Sequence, residues 1–145
     1  MAHPDLQALV DSLLPWAQSL LIKQGDFHPF GAIMASDGGI RWIEADTGED
    51  FPPGQIPIDM MTELIKEKAA SDETRAATIC YDARTIPPGS TVKTDVISFS
   101  LERLLGESIS VFLPYEKRDD GVIQYGEIFV TEKTRQFFSN SPAAD

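Results

Sequence analysis

Apolar residues in the first segment of the chain recur every three or four positions, which is the spacing of one helical face. This pattern runs from Asp5 to about Gln24 and ends at a glycine, a common helix terminator. Pro15 lies inside it, so we expect either a kink or a division into two shorter helices. A second helical pattern starts at Pro57, a residue that suits the first helical position, and continues to Ala69.

The other segments alternate apolar and polar residues, which is the period of a β-strand. Asp37-Gly38-Gly39 predicts a tight hairpin between two of these segments. The predicted strands cover 30–36, 40–45, 75–84, 91–102, 108–115 and 122–131. After them, Phe137 and Phe138 are expected to dock on the domain before a frayed tail at 139–145.

The predicted order of elements is therefore α-β-β-α-β-β-β-β, in one domain that covers residues 1–138. Only the connection around the second helix is long enough to cross over the sheet, so most strand pairs should be antiparallel. This predicts the α+β class: a single, mainly antiparallel sheet with both helices packed on one face. The order of helices and strands resembles the profilin-like and roadblock-like folds, although a fold by itself implies no function.

The charge of the chain narrows the classes of partner. Its 145 residues carry a formal net charge of −11, and a polyanion is repelled by nucleic acid and by anionic membranes. The charge suits a basic protein partner or simply keeps the chain soluble, and we expect neither nucleic acid nor a membrane as a partner. The first residues lack the basic and apolar regions of a signal peptide, and Cys80 is the only cysteine, so we expect a cytoplasmic protein without disulfides.

One hairpin is similar to that of a known enzyme family. His28-Pro29-Phe30-Gly31-Ala32-Ile33-Met34 with Asp37-Gly38-Gly39-Ile40 resembles the first hairpin of the zinc-dependent nucleoside and base deaminases. In that family the next helix carries His-x-Glu, and a later helix carries Pro-Cys-x-x-Cys. Here the next helix, at 57–63, has no histidine and the single cysteine cannot form a pair, so the resemblance does not extend to zinc or to deamination.

More of the sequence resembles a family of small soluble bacterial proteins of unknown function. The matching stretches are Pro29-Phe30-Gly31-Ala32, Thr47-Gly48-Glu49-Asp50, Pro87-Pro88-Gly89, Lys93-Thr94-Asp95, Val111-Phe112-Leu113-Pro114-Tyr115 and Tyr125-Gly126-Glu127. This resemblance implies a soluble bacterial protein and no particular residue roles.

Three residues are candidates for catalysis. His28 is the only histidine inside the predicted fold, and Asp26 lies two residues away, on the same side if the segment is extended. Cys80 is a candidate nucleophile, although a cysteine in the middle of a strand is more typically a small buried residue. The sequence contains no Gly-rich phosphate loop, no calcium loop and no nucleophile elbow, and we expect no cofactor or metal.

Two polar groups are candidates for binding. Asp82 and Arg84 face Lys93 and Asp95 across the turn Pro87-Pro88-Gly89-Ser90, where opposite charges either stabilise a hairpin or form a charged platform for a ligand. A shift of the register by one residue would move half of this group to the other face of the sheet. The second group is the acidic, aromatic loop Glu49-Asp50-Phe51, which is either a recognition element or a rigid connector.

Three hypotheses about function follow from these observations. The first is a non-enzymatic binding or regulatory domain that acts through an acidic surface or a sheet face, such as an immunity-type or inhibitor protein that covers a basic target. The second is an enzyme of an unrecognised class, with a pocket near His28. The third is a structural subunit that associates with a copy of itself, for example as a homodimer.

Overall fold

A computed structural model describes residues 3–45, 47–48, 54–70 and 73–138 of the chain. Its helices and strands are α1 (Pro4–Gln24), β1 (Phe30–Ala35), β2 (Ile40–Ile43), α2 (Gln55–Ala69), β3 (Thr74–Thr85), β4 (Thr94–Arg103), β5 (Ser108–Lys117), β6 (Ile123–Tyr125) and β7 (Phe129–Glu132). The strands form one sheet in the order β2-β1-β3-β4-β5, and β6 and β7 both pair with β5 at the far edge. Every pairing is antiparallel, which confirms the α+β class and the single antiparallel sheet.

Helix α1 begins and ends where its sequence supplies caps. At its start, the His3 ring accepts a hydrogen bond from the Asp5 backbone N–H at 3.1 Å. At its end, Gly25 adopts a left-handed conformation with φ of 84° and donates its N–H to the Leu21 carbonyl. The helix is not divided at Pro15, because this proline is exposed and the carbonyl that loses its partner lies on the solvent side.

The two helices lie on opposite faces of the sheet, so the prediction that both pack on one face is wrong. Helix α1 packs on the face that carries Ala32 and Cys80, whereas α2 packs on the face that carries Ile33 and Ile79. Successive side chains of a strand point to opposite faces, and in β1 and β3 both sets are apolar and buried. Both faces of the central strands therefore need cover, and one helix cannot supply it.

The last predicted strand is also different, because it is broken into β6 and β7 at 126–128. The Gly126 N–H donates to the Pro114 carbonyl at 2.8 Å, and a Cβ on Gly126 would lie 3.3 Å from the Pro114 Cβ. The backbone approaches β5 so closely here that a glycine fits best. The strand predicted from residue 91 begins instead at Thr94.

The segment that follows β7 is fastened to the α2 face by a buried glutamate. The Glu102 side chain is 0% exposed and accepts hydrogen bonds from the backbone N–H groups of Gln136, Phe137 and Phe138 and from the Lys133 ammonium. Both phenylalanines are buried beside α2, which confirms that they dock. The predicted frayed tail, 139–145, lies outside the described residues. Neither helix in the described ranges is long and apolar enough to cross a membrane.

Candidate functional site

A groove of about 300 Å³ lies at the edge of the sheet, where α1, β1, β2 and α2 meet. Helix α1 contributes one wall, the chain around the start of β1 contributes the floor, and the residues that follow β2 and the first turn of α2 close the other side. Its lining residues are Trp16, Leu20, Gln24, His28, Pro29, Phe30, Glu44, Ala45, Thr47 and Pro57. A volume near 300 Å³ is at the lower end of the range for small-molecule sites.

Aromatic packing fixes the floor of this groove. The buried rings of Phe27 and Phe30 meet edge to face, with their centroids 5.9 Å apart. The Phe30 ring also lies 5.7 Å from the ring of Trp42, whose indole N–H donates to the Ser12 hydroxyl of α1 at 3.1 Å. These contacts fasten β2 to α1 and hold the segment between α1 and β1 in place, so His28 is presented from a fixed backbone.

Of the two neighbouring candidates His28 and Asp26, only His28 is among the described residues that line the groove. His28 is exposed and lines the groove, together with Glu44. Asp26 does not line it; its charge instead acts on Tyr115 and Asp82, whose pKa values it helps to raise. The groove therefore holds a histidine and a carboxylate, and the carboxylate is that of Glu44, which is not one of the predicted site residues.

A buried tyrosine and a half-buried aspartate form a second polar feature, on the α1 face of the sheet. The Tyr115 hydroxyl donates to the Asp82 carboxylate at 2.7 Å. Burial raises the pKa of Asp82, and the bond from Tyr115 offsets part of this rise. Burial, followed by the bond to the Asp82 carboxylate, raises the pKa of Tyr115 far above its ordinary range. The pair is a strongly held hydrogen bond that connects β3 to β5 two strands away.

The charged group predicted around the Pro-Pro-Gly turn is assembled only in part. The register places Arg84 opposite Asp95, and the guanidinium lies 3.3 Å from the carboxylate. Asp82 lies on the same face, two residues along β3. Lys93 precedes β4 and is exposed, outside the paired strands. The exposed Arg84–Asp95 pair is typical of a hairpin-stabilising contact of about 0.2–1 kcal/mol.

Cys80 is fully buried on the α1 face, opposite the side that carries Ile79 and Tyr81. Burial, and secondarily the charge of Asp82, raises the pKa of its thiol well above the ordinary value. A thiol without access to solvent and with a raised pKa is a poor nucleophile, so the site gives no support to a catalytic cysteine.

The candidate loop residues Glu49, Asp50 and Phe51 lie outside the described residues. Across the ranges that are described, no three His, Cys, Asp or Glu side chains are grouped so that they could hold a metal ion. A second depression of about 340 Å³ lies near the tip of the β1–β2 hairpin, and its charged lining residues are Asp37, Arg41, Lys68 and Glu73. Its mixed charges favour no particular ligand, whereas the described lining of the first groove combines aromatic side chains with one carboxylate.

Two important residues were not found from the sequence. Glu102 lies in a strand where Ser98 and Ser100 share its face, and nothing in that pattern indicates that the backbone of the last segment returns to it. Asp5 was included only as the start of a helix, yet it holds the Arg75 guanidinium through two bonds, of 2.6 and 3.1 Å. An acidic residue in the first turn of a helix is common for dipole reasons alone, so the sequence carried no signal for either contact.

Comparison of the chain with protein-family models, with curated proteins and with solved structures finds no match.

Proposed function

We propose that this chain is a non-enzymatic binding domain that takes a basic protein partner on an acidic surface beside the groove. The observation that carries the proposal is the uneven distribution of charge. Between Arg41 and Lys66 the sequence has six carboxylates and neither a lysine nor an arginine. The six are Glu44, Asp46, Glu49, Asp50, Asp59 and Glu63.

The three described members of this set, Glu44, Asp59 and Glu63, are all exposed. Glu44 lines the groove, and Asp59 and Glu63 are exposed one turn apart on α2. Glu63 is the only one of the three in an ion pair with a described residue, at 3.3 Å from Lys66, and both of those side chains are well exposed. Since Glu44 and Asp59 form no ion pair with a described residue, their charges supply a field that attracts a cationic surface.

Exposed apolar side chains lie within the same region and favour a protein as the partner. Trp16 is 41% exposed at the groove, and Ile56 and Met60 are 43% and 41% exposed one turn apart on α2. Large aromatic and methionine side chains are enriched in protein interfaces, where they fill pockets on the partner. Acidic charge next to exposed apolar area fits a basic protein better than nucleic acid or an anionic membrane, both of which it repels.

Capture of partners by the immobilised domain, at about 50 mM and about 500 mM salt, tests this proposal, because screening by salt weakens charge-driven association. The expected result is a basic protein retained at low salt and released at high salt. The double variant Asp59→Lys/Glu63→Lys should abolish capture. Asp119→Lys/Asp120→Lys is the matched control, since it changes the net charge equally in the exposed turn after β5.

Three results would refute the proposal: capture that ignores salt, capture of acidic proteins only, or equal loss of capture in both double variants. The alternative of self-association is separated by sedimentation velocity of the isolated domain. A dimer that persists in the Asp59→Lys/Glu63→Lys variant would favour the self-associating subunit over the acidic binding surface.

A further inference from the structure

We infer that the groove is the specificity site of this surface, and that it binds one arginine or lysine side chain of the basic partner together with the apolar residue next to it. This inference rests on the proposed function and deepens it, because it names the chemical group that is recognised. Four of the groove's lining residues, Glu44, Ala45, Thr47 and Pro57, belong to the acidic stretch 44–63 of the sequence.

The walls of the groove suit the two parts of such a side chain. Six lining residues are apolar: Trp16, Leu20, Pro29, Phe30, Ala45 and Pro57. Arginine and lysine carry a long apolar stem below a charged head, and the stem packs well on a surface of this kind. The volume of about 300 Å³ accommodates a long side chain and part of its neighbour, and is small for a large cofactor.

The polar lining residues of the groove favour a positively charged ligand. Glu44 is the only acidic side chain among the described lining residues, and no lysine or arginine is among them. Glu44 forms no ion pair with any residue in the described ranges. A carboxylate that pairs with no described cation, in a groove that is also lined by aromatic side chains, is the combination that receives a guanidinium by hydrogen bonding and by stacking.

The chain itself places a cation against this wall. The Lys23 ammonium lies 5.8 Å from the centroid of the Trp16 ring, within the distance at which a cation is attracted to an aromatic face. The ring therefore already receives a positive charge from its own helix. Because an incoming cation is repelled by Lys23 or competes with it, removal of the Lys23 charge should strengthen binding, an effect opposite in sign to that of removing the Glu44 charge.

The occupant is a protein side chain rather than a free small amine because two exposed apolar residues of α2, Ile56 and Met60, precede and follow the lining residue Pro57 within one turn. Ile56 lies next to Pro57 in the chain, and Met60 lies one turn further along α2. Both are exposed, and a ligand that filled only the groove would leave them in water. A partner that extends over them gains this apolar contact in addition to the contact inside the groove.

The test is a titration followed by NMR, with acetyl-Leu-Arg-Leu-amide as the probe. The matched probe contains citrulline in place of arginine, which keeps the shape of the side chain and removes its charge. The indole N–H of Trp16 reports on the groove, and that of Trp42, which does not line the groove and donates to Ser12, is the internal reference. We expect the arginine peptide to shift the Trp16 resonance most strongly, with a much weaker effect from the citrulline peptide.

Three variants complete the design. Glu44→Gln should weaken binding of the arginine peptide roughly two- to fivefold, which is the range for one partly exposed ion pair. Lys23→Ala should strengthen binding of the same peptide. Asp120→Asn changes the net charge as Glu44→Gln does, but in an exposed turn that does not line the groove, and should leave the affinity unchanged. Equal binding of the citrulline peptide, equal effects of Glu44→Gln and Asp120→Asn, or a shift confined to Trp42 would each overturn the inference.

A further arm uses agmatine, a free guanidine without a peptide. If agmatine binds as tightly as the peptide, the site is one for small amines and the assignment to a protein side chain is wrong. The two proposals also fail separately. If a basic partner is captured in a salt-sensitive way while Glu44→Gln changes nothing, the acidic surface stands and the groove is not its specificity site. If the peptide binds in the groove while no basic protein is captured, the proposed function is wrong.

Discussion

Replacement of the buried Glu102 by glutamine should loosen the final segment of the chain and destabilise the whole domain. The two carboxylate oxygens have separate sets of donors. Oε1 accepts from the backbone N–H groups of Phe137 and Phe138 at 3.0 and 3.2 Å, and Oε2 accepts from that of Gln136 at 2.7 Å and from the Lys133 ammonium. A glutamine keeps one acceptor oxygen and puts an NH₂ group against the donors of the other set.

The magnitude follows from this count of bonds. Two hydrogen bonds to a charged group are lost, at about 1.5–3 kcal/mol each, so the expected loss is about 3–6 kcal/mol. The site is fully buried, and water cannot replace the lost acceptor without opening the segment. Typical domains have about 5–15 kcal/mol of stability, so the variant is expected to fold but to be close to its limit.

Equilibrium unfolding in urea measures this loss. With a slope of about 2 kcal/mol per M, a loss of about 3 kcal/mol lowers the midpoint by about 1.5 M. Glu132→Gln is the matched control, because it makes the same chemical change at an exposed position in β7. Trypsin reports the local effect, since cleavage after Lys133 or Arg135 requires the segment to leave the sheet.

If the unfolding free energies of Glu102→Gln and Glu132→Gln differ by less than about 1 kcal/mol and the two variants are equally sensitive to trypsin, then the Glu102 carboxylate does not hold the final segment as its contacts indicate. If Glu102→Gln fails to fold, Lys133→Met gives a second test, because it removes one donor and leaves the three backbone N–H groups in place. Lys133 is also the ion-pair partner of the buried carboxylate, so that variant should lose about 3–5 kcal/mol.

The thiol of Cys80 should stay unmodified by Ellman's reagent in the folded domain and react fully in denaturant; reaction at the rate of a free thiol in the folded state would contradict its burial. Because burial raises the pKa of Asp82, the folded state binds its proton more tightly, and the unfolding free energy should fall as the pH rises from the ordinary aspartate pKa through the raised one. Asp82→Asn should remove this part of the pH dependence in urea unfolding, and identical slopes in the two proteins would refute it. The pH dependence of stability has the opposite sign for Asp5, because the hydrogen bond from Arg75 lowers its pKa. The stabilisation by Asp5 should be present above the ordinary aspartate pKa and should be lost as the pH falls through the lowered pKa. Asp5→Asn should therefore lower the urea midpoint at neutral pH and converge with the unaltered protein in acid; a difference that does not depend on pH would argue against the ion pair.

Much of the fold could be read from local patterns, because the helical and strand periods are properties of short segments. The hairpin at Asp37-Gly38-Gly39 and the long β3–β4 hairpin both formed where turn residues separate alternating segments. The residues of the candidate site could not be predicted in the same way. Trp16 and Pro57 line one groove although they are far apart in sequence, and His28 gained Glu44 rather than Asp26 as a neighbour in it. Such proximity depends on how helices and strands pack, which no local period encodes.

The sequence alone therefore determined the order of the elements as far as β5, the antiparallel pairing and the sign of the net charge. The spacing of apolar residues determines secondary structure within a short segment, and the net charge is a property of the composition of the whole chain. Only the tertiary structure decided which face each helix covers, since Ile33 and Ala32 are equally apolar and point to opposite faces of β1. It also decided that Glu102 is buried, because the three N–H groups that satisfy its carboxylate come from a segment more than thirty residues away. A buried charge is tolerated only where distant partners meet it, and that condition exists in the folded chain alone.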